Sequence, residues 1–164
     1  NEIESISGER IWKETERALE TSSPEKFFEI LNKCNALKIL FPNIKTIHST
    51  QISQSLNTLK NCTKISLDKR VRFATLVYQL TKNLIDIEQG QSEIFSRLKI
   101  PNRYKSILKK VRLLASKYPR IMKLNGADLA SLLKELGGSK NSNDIELTAL
   151  ACEAIFHQNL RPIL

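Results

Sequence analysis

At 164 residues, with 41% apolar and 26% charged side chains, the chain has material for one domain or two small ones sharing a core, and is too apolar for disorder. Five glycines, five prolines and 6% aromatic residues leave few helix breakers and too few rings for a β-sandwich or barrel, which points to an all-α fold. The formal charge is +9, the apolar runs are too short to span a membrane, and the start, Asn1-Glu2-Ile3-Glu4-Ser5, has no signal-peptide core.

The predicted elements follow in chain order. A first helix runs from about Glu9 to Leu19 with Ile11, Trp12, Ala18 and Leu19 as its apolar positions, and Thr21-Ser22-Ser23 ends it. Ser23 then caps a second helix that has Pro24 at its first position and Glu25 in its first turn, with Phe27, Phe28, Ile30 and Leu31 as its buried stripe. A helical turn over Ala36–Leu40 is stopped by Phe41-Pro42-Asn43. After a polar loop from Thr46 to Gln51, a helix passes through Leu56, Leu59 and Cys62, and Asp68 caps the next, which carries Val71, Phe73, Ala74, Val77, Leu80 and Leu84. Ile94, Phe95 and Leu98 mark a shorter one.

Pro101 opens the most regular helix, whose positions Tyr104, Ile107, Leu108, Val111, Leu114 and Ala115 form a continuous apolar arc before Tyr118-Pro119 closes it. Asn125-Gly126 starts another, with Asp128 near its start, Leu129, Leu132, Leu133 and Leu136 inside, and Gly137-Gly138 after it. A last helix over about Asp144–Gln158 carries Ile145, Leu147, Ala149, Leu150, Ala154, Ile155 and Phe156. No internal repeat and no alternating strand pattern interrupts this series, so the expectation is an irregular array of about nine short helices.

Charge is unevenly placed. Residues 1–50 carry 7 Lys/Arg and 8 Asp/Glu, residues 60–123 carry 16 against 4, and residues 124–164 carry 3 against 5. A localised excess attracts a polyanion, whereas an even one mainly aids solubility. Within this segment Arg103, Lys105, Lys109, Lys110, Arg112 and Lys117 lie off the apolar arc of one helix, and Lys105, Lys109 and Arg112 fall on one side of it at about 100° per residue. These six are the candidate RNA-binding residues, with a solvated surface as the plainer alternative. Trp12 and Tyr104 sit at apolar helix positions, so core packing is expected of them and base stacking is the alternative. Cys34, Cys62 and Cys152 are odd in number and widely spaced, and His48 and His157 are the only histidines; no set can close a zinc tetrahedron, and reduced, mostly buried cysteines are expected.

Four stretches in order carry a family resemblance: Ser7-Gly8-Glu9-Arg10-Ile11-Trp12-Lys13-Glu14, Ala36-Leu37-Lys38-Ile39-Leu40-Phe41-Pro42-Asn43-Ile44, Arg72-Phe73-Ala74-Thr75-Leu76 and Arg97-Leu98-Lys99-Ile100-Pro101-Asn102. Over residues 7 to about 102 the chain resembles the bacterial CCA-adding enzymes, the tRNA nucleotidyltransferases related to bacterial poly(A) polymerases. The resemblance implies a neck-like region over 1–50, an HD-like basic helical region over 51–123 and a C-terminal helical tail over 124–164. It also implies a preceding head domain that performs nucleotidyl transfer with Mg and CTP/ATP, using a Gly-Ser phosphate motif and two metal-binding carboxylates. Neither Ser7-Gly8 nor Gly138-Ser139 is followed by such a carboxylate pair, so no cofactor is expected to bind these residues and no nucleotidyl transfer is expected from them.

Family members of this texture carry an HD phosphohydrolase site, in which His and Asp hold a metal that activates water. Aligned without a gap from Arg72, its ligand positions fall on Gln54, Tyr78 and Gln79, which are poor ligands for a divalent ion. The resemblance thus implies a degenerate HD core. The expected function is the tRNA-gripping, non-catalytic portion of a CCA-adding enzyme in the cytoplasm, partnered by tRNA or structured RNA and by its head, with no membrane partner. In this frame Glu9, Arg10 and Glu14 either brace the head or form surface ion pairs. The alternatives are a stand-alone, catalytically dead HD-like module acting through protein or RNA binding, and a residual hydrolase acting on 2′,3′-cyclic nucleotides.

Overall fold

Short polar side chains start the helices by accepting hydrogen bonds from the free amides of the first turn. In the computed structural model, which describes residues 6–41, 47–137, 142–158 and 162, Ser7 Oγ accepts from the Arg10 amide at 3.3 Å and opens α1 (Gly8–Glu20). Pro24 opens α2 (Pro24–Lys33) by its fixed backbone; Ser23 holds the cap position but its side chain makes no capping bond. The short α3 (Leu37–Leu40) follows, then α4 (Ser49–Cys62). Asp68 caps α5 (Lys69–Thr81) through the Arg70 amide at 2.7 Å, and Asp86 caps α6 (Ile87–Leu98) through the Gln89 amide at 2.8 Å. Next come α7 (Asn102–Lys117), a 3₁₀ stretch (Tyr118–Lys123), α8 (Gly126–Glu135), which Asn125 caps, and α9 (Ser142–Phe156). All regular structure among the described residues is helical, as the composition predicts, and no described helix is long and apolar enough to cross a membrane.

Besides the Ser23 cap, further sequence expectations are corrected: Leu84, placed in the helix that Asp68 caps, lies past its end at Thr81. The loop expected from Thr46 to Gln51 is helical from Ser49 onwards. The reason is tertiary: the Gln51 side-chain Nε2 donates at 3.2 Å to both the Gln79 and Leu80 carbonyls, satisfying the end of α5 that would otherwise lack partners. Ile30, assigned to the buried stripe of α2, is 64% exposed, because it lies two residues and so about 200° from the fully buried Phe28. Pro42, Asn43 and Gly138 lie outside the described residues.

The core forms around α5, which packs against α1, α4, α6, α7 and α9 and is buried from Val71 to Val77 without a break. A helix enclosed on all sides must also satisfy its polar side chains internally. Thr75 meets Cys62, Gln79 donates to Thr58, and Thr81 donates to the Val77 carbonyl and accepts from Gln91. An edge-to-face triangle of Trp12, Phe73 and Tyr104, with centroids 4.7 to 5.5 Å apart, joins α1, α5 and α7. Trp12 and Tyr104 are thus core residues with no face for a base. Gly8 brings the start of α1 against the end of α6: a Cβ there would stand 1.9 Å from the Arg97 carbonyl oxygen. One apolar cluster runs from Ile11 to Ile155 and draws on α1 through α9.

Arg72 is 1% exposed and lies in this core. Its Nε donates to the Ser66 carbonyl at 2.9 Å, and its Nη1 donates to the carbonyls of Leu19 and Thr21 at 2.6 and 2.8 Å. It thereby holds the end of α1 and the α4–α5 loop on α5. Cys62 and Cys152 are buried, and desolvation pushes their thiols up to about 11 and about 12; Cys34 is exposed. Truncation of Arg72 to alanine would leave three inward-facing carbonyls without donors, and we expect it to destabilise the fold by about 3 kcal/mol or more. The urea midpoint measured at unchanged slope checks this.

Candidate nucleic-acid interface

Five of the six basic residues of α7 occupy two flanks of that helix, and Lys117 is its last residue. Arg112, Lys105 and Lys109 face the α6 side. Arg112 donates to Gln91 Oε1 at 3.3 Å and lies 3.9 Å from Glu88, and the Lys105 ammonium sits 5.4 Å from the centre of the Phe95 ring. Arg103 and Lys110 face the other side. Arg103 donates to Glu16 at 2.8 Å and covers the Tyr104 ring, and Lys110 pairs with Asp144 on α9 at 2.5 Å with both side chains more than four-fifths buried. Lys109 and Lys117 are exposed, and among the described residues neither has an acidic partner within 4 Å. Four of the six candidates therefore have partners within the protein, and the cations without an ionic partner, Lys109 and Lys117, continue into Arg120 and Lys123 of the 3₁₀ stretch, both exposed. Arg120 and Lys123 were not among the six. Their shared signal with Lys117 is the three-residue step, which keeps side chains on one edge of a 3₁₀ turn.

This edge borders a cleft of about 690 Å³ between α7 and α8, lined on one side by Ser116, Lys117 and Arg120 and on the other by Asp128, Ser131 and Glu135. A second cleft, which shares Ser116 and Glu135 with it, extends along α7 past Lys109 to Glu88. α8 buries Leu132, with Leu136 just beyond its end, and Gly137 follows at φ +91°, a backbone conformation suited to glycine.

At the other end of α7, Glu16 collects Tyr104, Arg103 and Lys69, and Lys69 also reaches Glu20 at 2.5 Å. Burial pushes the Glu16 carboxyl up, but the hydrogen bonds from Tyr104 and Arg103 and the charge of Lys69 outweigh it and leave its pKa lowered. The Tyr104 hydroxyl is pushed up by burial and by this carboxylate. At the start of α1, Glu9 pairs with Lys99 at 2.8 Å, and Glu14 pairs with Arg17, while Arg10 is exposed.

The positions aligned with the HD ligands do not converge. Gln54 is exposed on α4, Gln79 reaches Thr58 one turn further along α4, and Tyr78 turns towards Phe156 on α9 with ring centres 6.4 Å apart. Among the described residues no three His, Cys, Asp or Glu side chains gather as a metal set. His48 precedes α4 without a capping bond, and His157 is exposed after α9.

Described residues that are helical throughout and carry an exposed basic edge beside a cleft have features that suit an RNA-binding module, and the comparisons with known proteins specify the class. A family model described as "Probable RNA and SrmB- binding site of polymerase A" matches residues 1–48. The CCA-adding enzyme of Hamiltonella defensa is 34% identical over 129 residues, which cover 66% of this chain and 32% of that protein. The multifunctional CCA protein of Shewanella denitrificans is 35% identical over 130 residues, 65% of this chain and 32% of that protein, and that of Acinetobacter baylyi is 32% identical over 176 residues, 93% of this chain and 43% of that protein. The chain is related to the C-terminal region of the CCA-adding enzymes. It spans between 32% and 43% of the length of these relatives. No solved structure matches it.

The lowered Glu16 pKa fixes the sign of a pH effect. A depressed carboxyl stabilises the fold fully above its ordinary value of 4.5, and that stabilisation is lost as pH falls through the lowered native value. We expect the urea midpoint to fall below pH 4.5, and to fall less steeply in Glu16→Gln, with Glu9 and Asp68, whose pKa values are also lowered, retaining the remaining dependence.

Proposed function

We propose that this chain is the RNA-gripping, non-catalytic helical part of a CCA-type tRNA nucleotidyltransferase. It holds tRNA by its phosphate backbone while a head domain outside these residues performs the transfer. The observation that carries this reading is that Lys109, Lys117, Arg120 and Lys123 are exposed and, among the described residues, have no acidic partner within 4 Å, beside α7 cations that do have partners in the protein. Cations already held by carboxylates release few counterions on binding a polyanion, so these four supply the phosphate contacts. Kinship with CCA-adding enzymes, and the RNA-binding description matched by residues 1–48, point to tRNA among polyanions. On this reading Gln54, Tyr78 and Gln79 stand where an ancestral hydrolase site has been replaced by packing and hydrogen bonds.

Filter binding of tRNA across a salt series tests the proposal. We expect log K to fall linearly with log salt, and Lys109→Ala and Lys117→Ala each to reduce the slope by about one while the urea midpoint stays unchanged. Lys110→Ala is expected to lower the urea midpoint, because it leaves Asp144 shielded and unpaired. Absence of tRNA binding at low salt, or binding without salt dependence, would refute the reading.

A further inference from the structure

The α7–α8 cleft carries opposite charges on its two walls that form no ion pair with each other. Lys117 and Arg120 line one wall, and Asp128 and Glu135 the other. Among the described residues the ion pairs within 4 Å lie elsewhere, and none involves these four side chains. Asp128, Ser131 and Glu135 are three and four residues apart, so they form one row along α8, about 4.5 to 6 Å between successive members. A wall of phosphate-binding cations facing a wall of acceptors selects a ligand with both an anion and a hydrogen-bond donor at each repeat.

We infer that this cleft seats a ribose–phosphate strand, with Lys117 and Arg120 on its phosphates and Asp128, Ser131 and Glu135 accepting from its 2′-hydroxyls, so that it selects RNA over DNA. The inference rests on the RNA-binding reading above and deepens it. Ionised carboxylates are acceptors only, whereas a phosphate diester offers no donor. A deoxyribose strand laid on the cations would therefore bring its phosphates past Asp128 and Glu135 with no sugar hydroxyl to donate to them. A ribose strand supplies the missing donor at each sugar. α8 is suited to carry this row because the buried Leu132, at the floor of the cleft, and Leu136 anchor the helix while Asp128, Ser131 and Glu135 stay exposed.

Fluorescence anisotropy with three labelled single strands of one sequence, as RNA, DNA and 2′-O-methyl RNA, tests the inference on the full chain. The 2′-O-methyl strand keeps the ribose acceptor and removes its donor. We expect RNA to bind several-fold more tightly than either of the others at about 50 mM salt. Asp128→Ala, Ser131→Ala and Glu135→Ala should each lower that ratio, and the triple variant should bring it to about one. Glu146→Ala, which removes an exposed charge on α9, should leave it unchanged. All three cleft positions are exposed, and melting temperatures confirm folding; if the triple variant unfolds, the single variants decide. Failure of the wild type to bind RNA refutes the RNA-binding reading itself. Binding of RNA with equal affinity for the 2′-O-methyl strand, or a ratio unchanged in the cleft variants, refutes this assignment and leaves RNA binding standing.

Discussion

A guanidinium sealed from solvent must find its acceptors inside the protein, and Arg72 finds them on three carbonyls from two other segments. Two of these, Leu19 and Thr21, end α1, where free carbonyls and the negative end of the helix dipole favour a cation. The third, Ser66, belongs to the loop that feeds α5. A hydrophobic contact at this place tolerates rotation or sliding; three charge-assisted hydrogen bonds to fixed backbone atoms do not. With α1 set on α5, Trp12 lies between Phe73 and Tyr104, and the position of α7 follows. The placement of the basic helix is thus a downstream consequence of a buried charge on α5 whose acceptors at the end of α1 lie about fifty residues away along the chain.

α7 has two roles that draw on the same residue types. Its flanks supply Arg103 to Glu16, Lys110 to Asp144 and Arg112 to Gln91, fixing it against α1, α9 and α6. Exposed pairs such as Arg103 and Glu16 contribute about 0 to 1 kcal/mol and mainly set orientation, while the shielded Lys110–Asp144 pair is costly to break from one side. What these contacts leave without an ionic partner on α7 are the exposed Lys109 and Lys117. The net charge of the segment consequently overstates how much of it a polyanion would meet. A scan that weighs every lysine equally would mix variants that unfold the helix with variants that alter its surface.

The all-α class, most helix starts and the apolar arc of α7 were legible from sequence for local reasons. Ser7, Asp68 and Asn125 cap because a short side-chain acceptor reaches the amide two or three residues on, and Tyr104 to Ala115 face inward because their spacing matches the helical period. Ile30 shows where that period was read too broadly, since the stripe of α2 is narrower than its run of apolar residues. The start of α4 is not legible locally, because the acceptors that the Gln51 side chain meets on α5 lie 28 and 29 residues away.

The regional charge asymmetry, the family resemblance and the list of basic residues on α7 were determined by the sequence alone, since each is a property of residue order. Which of those cations remain free was decided by the tertiary structure. Glu16, Asp144 and Glu88 come from three other helices, and no periodicity within α7 encodes their arrival. The acceptor row of Asp128, Ser131 and Glu135 was likewise written in the spacing of α8, but became meaningful only when folding placed it across a cleft from Lys117 and Arg120. An ionic or hydrogen-bonded contact acts over a few ångströms, so its partner is set by packing and not by distance along the chain.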